Sequence, residues 1–384
     1  MNKIYLDNNS TTQIDSEVLE SMLPYFNEKY GNPSSQSHAF GWEARAAIDI
    51  AREQIADFIN AEIDEIIFTS GATESNNLAI NGFFVSNQSQ NSNIITSSIE
   101  HKAVLDVCKQ IHSKRNNIIY IKPDHDGIID VQKIKDAINK DTILVSIMHA
   151  NNEIGTIQSI KEIGLICKKN DVIFHVDAAQ SLGKIAIDVK DMEIDMLSIS
   201  SHKIYGPKGV GALYIKNKKT KIKLNPIIVG GEQENNLRSG TLPTPLIVGF
   251  GKACEIALKR IDSDNKRIKQ LCDKLIKTVL SEYPDTKLNG SKKNRIPGNL
   301  NLSFPFLKGM SIINSMPQIA VSSGSACTSS SPSPSYVLKE LGISKLDSNT
   351  SIRIGIGRFN TNKDIEIASE AIINAIRKKY DKKN

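Results

Sequence analysis

Cysteine is scarce in this sequence, with five residues among 384, at positions 108, 167, 254, 272 and 327. Their number is odd and their spacing is wide. This pattern supports neither a disulfide framework nor a metal site built on a CxxC pair, so we predict reduced thiols and no intrinsic metal centre. Reduced thiols are typical of a cytoplasmic protein.

Long hydrophobic runs are absent as well. No stretch of about eighteen apolar residues occurs, as a membrane-spanning helix would need. The first residues, Met1 to Asp7, also lack the apolar centre of a signal peptide. We therefore predict a soluble, cytoplasmic protein without a membrane partner.

Aromatic residues make up 5% of the chain, and the formal net charge is +6. The basic clusters at 216–221 and 377–379 contain no aromatic residues that could stack on bases, which argues against a nucleic-acid partner. The segment 206–211 resembles a nucleotide-binding loop. No helical pattern follows it, however, and this argues against a nucleotide site.

Short apolar runs alternate with helical patterns between residues 16 and 214, an order typical of parallel β-α-β units. Strands are predicted at 65–70, 93–97, 118–121, 142–148, 172–176, 196–200 and 211–215. We predict an α/β fold with a mostly parallel central sheet, helices on both of its faces, and a smaller α+β C-terminal domain. The predicted divisions are an N-terminal segment (1–15) that joins the small domain, a large domain (16–260) and the small domain (261–384).

One lysine, Lys203, lies between hydroxyl residues and glycines after the strand predicted at 196–200, and Asp177 closes the preceding apolar run. A lysine amine forms Schiff bases with aldehydes, and a carboxylate can hold a pyridine nitrogen protonated. The pair therefore predicts a site for pyridoxal 5'-phosphate (PLP), whose ring withdraws electrons from a substrate carbanion.

Further polar residues follow other predicted strands, at the edge where open α/β sheets bind ligands. The turn 71–77 opens a helix whose N–H groups, with the hydroxyl of Thr73, suit a phosphate, although such helix starts are also ordinary N-caps. His101 suits stacking and proton transfer on a flat heterocycle, or alternatively helix capping. Asn152 and Gln180 supply amides for a ligand carboxylate or for the phenolic oxygen of the cofactor.

Cys327 lies in a Ser- and Gly-rich segment, 322–335. A structural cysteine is unexpected there, because buried cysteine behaves as a small hydrophobic residue. Composition alone would also fit a disordered linker, but ordered-looking sequence flanks the segment on both sides. A thiol on a mobile loop suits sulfur transfer. Arg353, on a predicted strand, carries a planar fork of donors that matches a carboxylate.

On these residues the chain resembles a cysteine desulfurase of the NifS/IscS type, a relative of the class V aminotransferases with the fold-type I PLP architecture. The resemblance covers almost the whole chain. The motifs that carry it are SGATESNNLAI, EHKAVLD, NNEIG, HVDAAQS, SHKIYGPKG, RSGTL, SSGSACTS and SIRIGIGRF.

The resemblance implies a role for each site residue. The residues implied around the cofactor ring are Lys203 as the Schiff-base lysine, Asp177 at the pyridinium nitrogen, His101 stacked on the ring, and Gln180 and Asn152 at its polar edge. Those implied around the phosphate are Ala72, Thr73, Ser200, Ser201 and His202, with Thr241 from the neighbouring subunit of a homodimer. The implied substrate-carboxylate residues are Asn152 and Arg353, and the implied sulfur acceptor is Cys327.

The implied reaction removes sulfur from L-cysteine, releases L-alanine and leaves a persulfide on Cys327. The persulfide would pass to acceptor proteins such as an iron–sulfur scaffold or a sulfur carrier for tRNA thiolation, and through it Cys327 would transiently ligate a 2Fe–2S cluster. The longest proteins of this type carry a C-terminal tail beyond the equivalent of Asn384 that helps to dock the scaffold.

Two alternatives stay open from the sequence. One is a selenocysteine lyase or another PLP-dependent β-eliminase. The other is a non-catalytic interaction protein that retains the fold. A charged aspartate at an apolar strand end has no physical use in such a protein, which argues against the second alternative.

Overall fold

The structure is a computed structural model that describes residues 3–89, 91–115, 118–216, 222–323 and 334–381. Within these ranges, no helix is both long and apolar enough to cross a membrane. The strands are β1 (Ile4–Tyr5), β2 (Ile66–Thr69), β3 (Asn93–Ser97), β4 (Ile118–Ile121), β5 (Thr142–Met148), β6 (Ile173–Asp177), β7 (Met196–Ser200), β8 (Gly211–Ile215), β9 (Lys287–Leu288), β10 (Asn299–Ser303), β11 (Ile319–Ala320) and β12 (Ile352–Gly355).

A seven-stranded sheet forms the centre of the described chain, in the order β2-β8-β7-β6-β5-β3-β4. Strands β4, β3, β5, β6 and β7 pair in parallel, whereas β8 is antiparallel to both of its neighbours, β7 and β2. The reversal at β8 follows from its short connection to β7, residues 201–210, because a parallel return needs a crossover of a dozen or more residues. The predicted α/β class with a mostly parallel sheet is confirmed.

The helices are α1 (Ser16–Met22), α2 (Pro24–Asn27), α3 (Ala39–Ile59), α4 (Ala72–Asn77), α5 (Phe83–Asn87), α6 (Lys102–Arg115), α7 (Val131–Ala137), α8 (Ile160–Lys169), α9 (Thr244–Glu282), α10 (Tyr336–Glu340), α11 (Lys345–Thr350) and α12 (Asn362–Asp381). A π-helical turn, Leu78–Gly82, joins α4 to α5. Helix α3 buries one side, including Ile48, Ala51 and Ile55, because these residues recur at three- and four-residue spacing.

A second, smaller sheet, β12-β10-β9, packs with α12 around its own hydrophobic cluster. Ile4 and Leu6 from the N-terminus belong to this cluster, and β1 pairs in parallel with β11. The long helix α9 connects the two parts of the molecule. Its first half, with Phe250, lies in the core under the central sheet, and its second half, with Leu275, lies in the C-terminal cluster.

Candidate active site

A cavity of about 430 Å³ opens at the C-terminal ends of the parallel strands. Residues that follow β2, β3, β5, β6 and β7 line it, because the carboxyl ends of parallel strands meet at one edge of the sheet. The predicted site residues in the lining are Ala72, Thr73, His101, Asn152, Asp177, Gln180, Ser200, His202 and Lys203. Five separate strand ends therefore bring most of the predicted site together.

Lys203 lies in the one-turn 3₁₀ helix after β7. Its Nζ donates to the backbone carbonyls of Asn9, at 2.6 Å, and Ser10, at 2.7 Å. The N-terminal segment is itself fixed across this turn, because the N–H of Thr12 donates to the carbonyl of His202. Sequence reasoning missed the contribution of Asn9 and Ser10, whose only signal was a run of polar residues after Asp7.

Asp177 ends β6 and is 5% exposed. One carboxylate oxygen accepts from the side-chain amide of Asn76 at 2.8 Å, and the other accepts from the N–H of Ala179 at 2.9 Å. Both partners are neutral, and a buried carboxylate is stable in its charged form only with a cation or strong donors nearby. A protonated heterocycle bound in the cavity would supply such a cation. Sequence reasoning did not single out Asn76, although it lies inside the turn assigned to phosphate binding.

The opposite end of the cavity is shaped for close approach of an anion. Gly71 adopts a φ of +149°, and a Cβ added to Gly211 would lie 2.6 Å from the Cα of Gly71, so only glycine fits where β8 passes this turn. Helix α4 begins directly afterwards, and its first residues, Ala72 and Thr73, line the cavity, so the unpaired N–H groups of a helix start are available at this end. The hydroxyl residues Thr73 and Ser200 and the ring of His202 complete this end.

Two residues predicted to bind the phosphate lie elsewhere. Ser201 does not line the cavity, and a Cβ on Gly206 would come within 2.1 Å of its Oγ, so this side chain points toward the turn at Gly206. Thr241 is exposed and also lies outside this cavity. Its loop is tied to the phosphate end, because Arg238 donates to Glu74 in α4 at 2.9 Å.

The polar edge of the cavity holds His101, Asn152 and Gln180. The Nδ1 of His101 accepts from the N–H of Ala103 at 3.1 Å, which orients the ring at the start of α6. Gln180 donates to the carbonyl of Asn9 at 2.8 Å. The Oδ1 of Asn152 is buried and has no hydrogen-bond partner within the described part of the chain, so this side chain has an unused polar atom at the edge where a ligand would lie.

Arg353, on β12 in the C-terminal part, is 1% exposed and does not itself line the cavity, but it contacts two residues that do. It donates to the carboxylate of Asp7 at 2.9 Å, to the hydroxyl of Ser10 at 2.6 Å and to the carbonyl of Asn152 at 3.1 Å. Ser10 therefore contacts both cationic residues of the site, Lys203 through its carbonyl and Arg353 through its hydroxyl. Sequence reasoning missed Asp7.

Burial and positive charge shift the pKa values of several groups here. Burial, together with Lys203 and Lys208, lowers the pKa of His202 to about 4, so its ring is neutral at pH 7. Burial, with Lys203 and Arg353, lowers the pKa of Lys184 to about 7. Burial raises the pKa of Glu100, which precedes His101, to about 8. Apart from Asp7, Asp177 and Glu74, which pairs with Arg238, the described residues of this site are mainly positive and neutral groups.

Cys327 lies outside the described residues. The four described cysteines, Cys108, Cys167, Cys254 and Cys272, are buried. Burial raises the pKa of all four thiols, that of Cys108 and that of Cys272 to about 12. Because the thiolate is the nucleophilic form, none of these four is suited to attack a substrate.

The residues present fit PLP. A lysine amine, a buried carboxylate that accepts hydrogen bonds from two neutral donors, and a glycine-lined helix start lie around one cavity. They match the aldehyde, the pyridine nitrogen and the phosphate of this cofactor in turn. The cavity volume lies within the usual range for a cofactor pocket.

Comparison with known proteins agrees with this geometry. The family model named aminotransferase class-V matches residues 4–367. The cysteine desulfurase IscS of Ehrlichia chaffeensis is 51% identical over 375 residues, which make up 98% of this chain and 91% of that protein. The chain belongs to the class-V aminotransferase family. The predicted family and PLP dependence are thereby confirmed.

Solved structures of this family have the same fold. A structure titled NifS-like protein superposes with a TM-score of 0.90 at 35% identity, covering 98% of this chain and 99% of that one. A second, titled SspA in complex with cysteine, has a TM-score of 0.83 at 39% identity and covers 93% of this chain and 100% of that one. This chain therefore has the same fold as a NifS-like protein and as a protein solved in complex with cysteine.

Proposed function

We propose that this enzyme is a cysteine desulfurase that transfers sulfur from L-cysteine to Cys327 and releases L-alanine. One observation carries the proposal: Ser10 contacts both Lys203 and Arg353. An α-amino acid carries its amine and its carboxylate on the same carbon, and this site presents the cofactor lysine and a buried guanidinium on either side of one residue. The desulfurase name of the 51% identical relative and the cysteine complex of the SspA structure support L-cysteine as that amino acid.

Each residue has a defined task. Bound PLP supplies the electron sink that stabilises negative charge at the α-carbon of the amino acid. Asp177, held by Asn76, keeps the pyridine nitrogen protonated, and His101 stacks on the ring and moves protons. Arg353 and Asn152 hold the carboxylate, Gln180 binds the phenolic oxygen, and Lys203 accepts the α-proton.

Cys327 takes the sulfur atom. Its thiolate attacks the sulfur of the bound cysteine, so that an S–S bond forms while the Cβ–S bond breaks. The electron pair of the broken bond stays on the three-carbon fragment, which is protonated and leaves as L-alanine. The persulfide on Cys327 then passes to an acceptor protein, either an iron–sulfur scaffold or a sulfur carrier for tRNA thiolation, in the cytoplasm.

The proposed enzyme is a homodimer in which Thr241 of one subunit contacts the cofactor phosphate of the other. The exposure of Thr241 outside its own cavity supports this arrangement. The loop before it contains Glu232, Glu234, Asn235 and Asn236, all with positive φ. Such a conformation is strained for residues other than glycine, and it is held by buried ion pairs at Glu234 and Arg238.

The test is sulfide release from L-cysteine in the presence of a thiol reductant, measured with three proteins. The wild type and Cys108→Ala, which loses a buried thiol, are expected to release sulfide. Cys327→Ala is expected to keep the visible absorbance of bound PLP but to lose sulfide release. If the wild-type enzyme released no sulfide, the proposal would be disproved. If Cys327→Ala turned over L-cysteine normally, the alternative of a selenocysteine lyase or another PLP-dependent β-eliminase would be favoured instead.

A further inference from the structure

We propose that Asp7 is the internal occupant of the substrate-carboxylate site: it binds Arg353 while no amino acid is present and yields to the carboxylate of the substrate. Asp7 is then a specificity-determining residue that sets the affinity for carboxylate ligands. The inference rests on the proposed role of Arg353 in binding the substrate.

Three of the five N–H groups of Arg353 have partners in this structure. Nη2 donates to Oδ1 of Asp7 and to Oγ of Ser10, and Nη1 donates to the carbonyl of Asn152. Nε is buried and has no partner among the residues that the structure describes. A buried guanidinium N–H without a partner carries a desolvation penalty. Nε therefore marks the position where an acceptor atom of a ligand would form the missing hydrogen bond.

Counting hydrogens shows what a carboxylate must displace. A guanidinium has five N–H groups, one on Nε and two on each Nη. The hydrogens on Nε and Nη2 form a fork that fits two carboxylate oxygens, but both hydrogens of Nη2 are already bound. A substrate carboxylate can therefore bind in bidentate fashion only after Asp7 or Ser10 releases Nη2.

Charge decides which of the two yields. Two carboxylates on one guanidinium repel each other in a buried site, where the effective dielectric constant is low, whereas the neutral Ser10 hydroxyl carries no such penalty. Among the residues that the structure describes, the amines of Lys184 and Lys203 also lie near Arg353, and both are positive when protonated. They attract the incoming carboxylate and do not select between Ser10 and Asp7.

Asp7 can release Arg353 without losing its own position. Its second oxygen, Oδ2, accepts from the hydroxyl of Ser322 at 2.8 Å. Its backbone bridges to Gly355, at the end of the strand β12 that also carries Arg353, and Ser322 bridges to Arg353. A small rotation that frees Oδ1 from Nη2 thus leaves the bond to Ser322 in place.

The experiment compares two ligands of the PLP-loaded enzyme that differ only in a carboxylate, L-alanine and ethylamine. Dissociation constants are obtained from the change in cofactor absorbance. In Asp7→Asn the competing charge is gone while the shape is kept, so L-alanine is expected to bind about tenfold more tightly. Ethylamine, which does not compete with Asp7, is expected to bind as it does to the wild type.

A matched control is Asp15→Asn. Asp15 also forms a buried 2.9 Å ion pair with an arginine, Arg358, but Arg358 bonds to Asp15 and Asp264, whereas Arg353 bonds to residues of the cavity lining. Loss of the Asp15 charge is expected to lower thermal stability and to leave the ratio of the two dissociation constants unchanged. Ser10→Ala tests whether Ser10, rather than Asp7, releases Nη2 of Arg353. Tighter L-alanine binding in this variant, together with weaker binding in Asp7→Asn, would overturn the proposal.

Two further outcomes are decisive. If wild-type enzyme binds both ligands alike, the assignment of Arg353 under the proposed function fails, and this inference fails with it. If the wild type prefers L-alanine and Asp7→Asn binds it no more tightly, only the inference about Asp7 fails. Should Asp7→Asn not fold, a crystal structure of the wild type with L-alanine decides, because an unchanged bond between Arg353 and Asp7 overturns the proposal.

Discussion

The side-chain amide of Asn76, on α4, donates a 2.8 Å hydrogen bond to Oδ2 of Asp177 at the end of β6. The same helix starts at the phosphate end of the cavity, so one short element fixes both the anion site and the orientation of the carboxylate. The Oδ1 of Asn76 is buried without a hydrogen-bond partner in the described ranges. The cost of that unsatisfied oxygen indicates that the amide is retained for its effect on Asp177.

Replacing Asp177 by Asn should reduce the rate of sulfide release about a thousandfold, because the ring nitrogen loses the charge that keeps it protonated. The measurement is a single-turnover assay with PLP-loaded protein. Asn76→Ala should retain the charge of Asp177 but lose the hydrogen bond that orients this carboxylate. The rate of sulfide release should therefore fall only about tenfold. If the rate for Asp177→Asn fell by less than about fivefold, another group would have to keep the ring nitrogen protonated.

Lys203→Ala should abolish the visible absorbance that PLP gives when it is covalently bound to the protein. Lys184→Ala is the matched control, because Lys184 lines a neighbouring cavity with Lys203 and donates to Gln180 at 3.4 Å. The control should keep the absorbance. Absorbance spectra of both variants after incubation with PLP test this, and an unchanged spectrum for Lys203→Ala would remove that lysine from its role.

His175 should make the stability depend on pH. It lies fully buried in β6 between the hydroxyls of Ser146 and Ser198. Burial lowers its pKa to about 3, from 6.5 in an unfolded chain. The unfolded state therefore binds a proton that the folded state does not, so the stability contributed by neutral His175 is complete above pH 6.5 and falls as the pH drops toward 3.

The variant His175→Gln removes this proton binding. Between pH 7 and pH 5 its free energy of unfolding should fall by roughly 2 kcal/mol less than that of the wild type, as measured by urea titration. His112→Gln, on the exposed side of α6, should follow the wild-type pH dependence. Identical slopes for His175→Gln and the wild type would contradict the prediction.

The buried pair of Arg52 and Glu234 should stabilise the loop before Thr241. Arg52 donates to both carboxylate oxygens, at 2.7 and 2.9 Å, and its guanidinium lies 4.5 Å above the ring of Phe68. Glu234→Gln should lower the free energy of unfolding by about 3 kcal/mol, because it leaves a buried cation without its partner. Chemical denaturation measures this change.

The control for this pair is Asp273→Asn, which breaks an exposed pair with Lys269 on α9. Exposed pairs contribute little to stability, so no measurable change is expected there. Equal effects of the two substitutions would show that burial does not strengthen the pair of Arg52 and Glu234.

Local patterns predicted much of this molecule. Strands β3, β4, β5, β7 and β8 begin and end as predicted, because short apolar runs between polar turns define them. The site residues on their ends meet for a topological reason, since parallel strands end at one edge. Asp177, His101 and Lys203 could therefore be grouped from the sequence before any contact was known.

Contacts between distant segments could not be predicted. Asp7 and Asn9 reach the site only because β1 pairs with β11 and the following residues cross to Lys203, more than a hundred residues away in the sequence. The direction of β8 depends on the length of one connection. Ser201 follows Ser200 in a tight turn, where neighbouring side chains point in different directions, and a motif alone does not show which of them enters the cavity.

The 39-residue helix α9 is one continuous element about 58 Å long. The proposed domain boundary at residue 260 falls inside it. A polypeptide cut there would leave two fragments, each with a severed helix end and an uncovered apolar stripe. Separate production of either fragment is therefore a route to aggregation, and circular permutants should place their new termini in a surface loop instead.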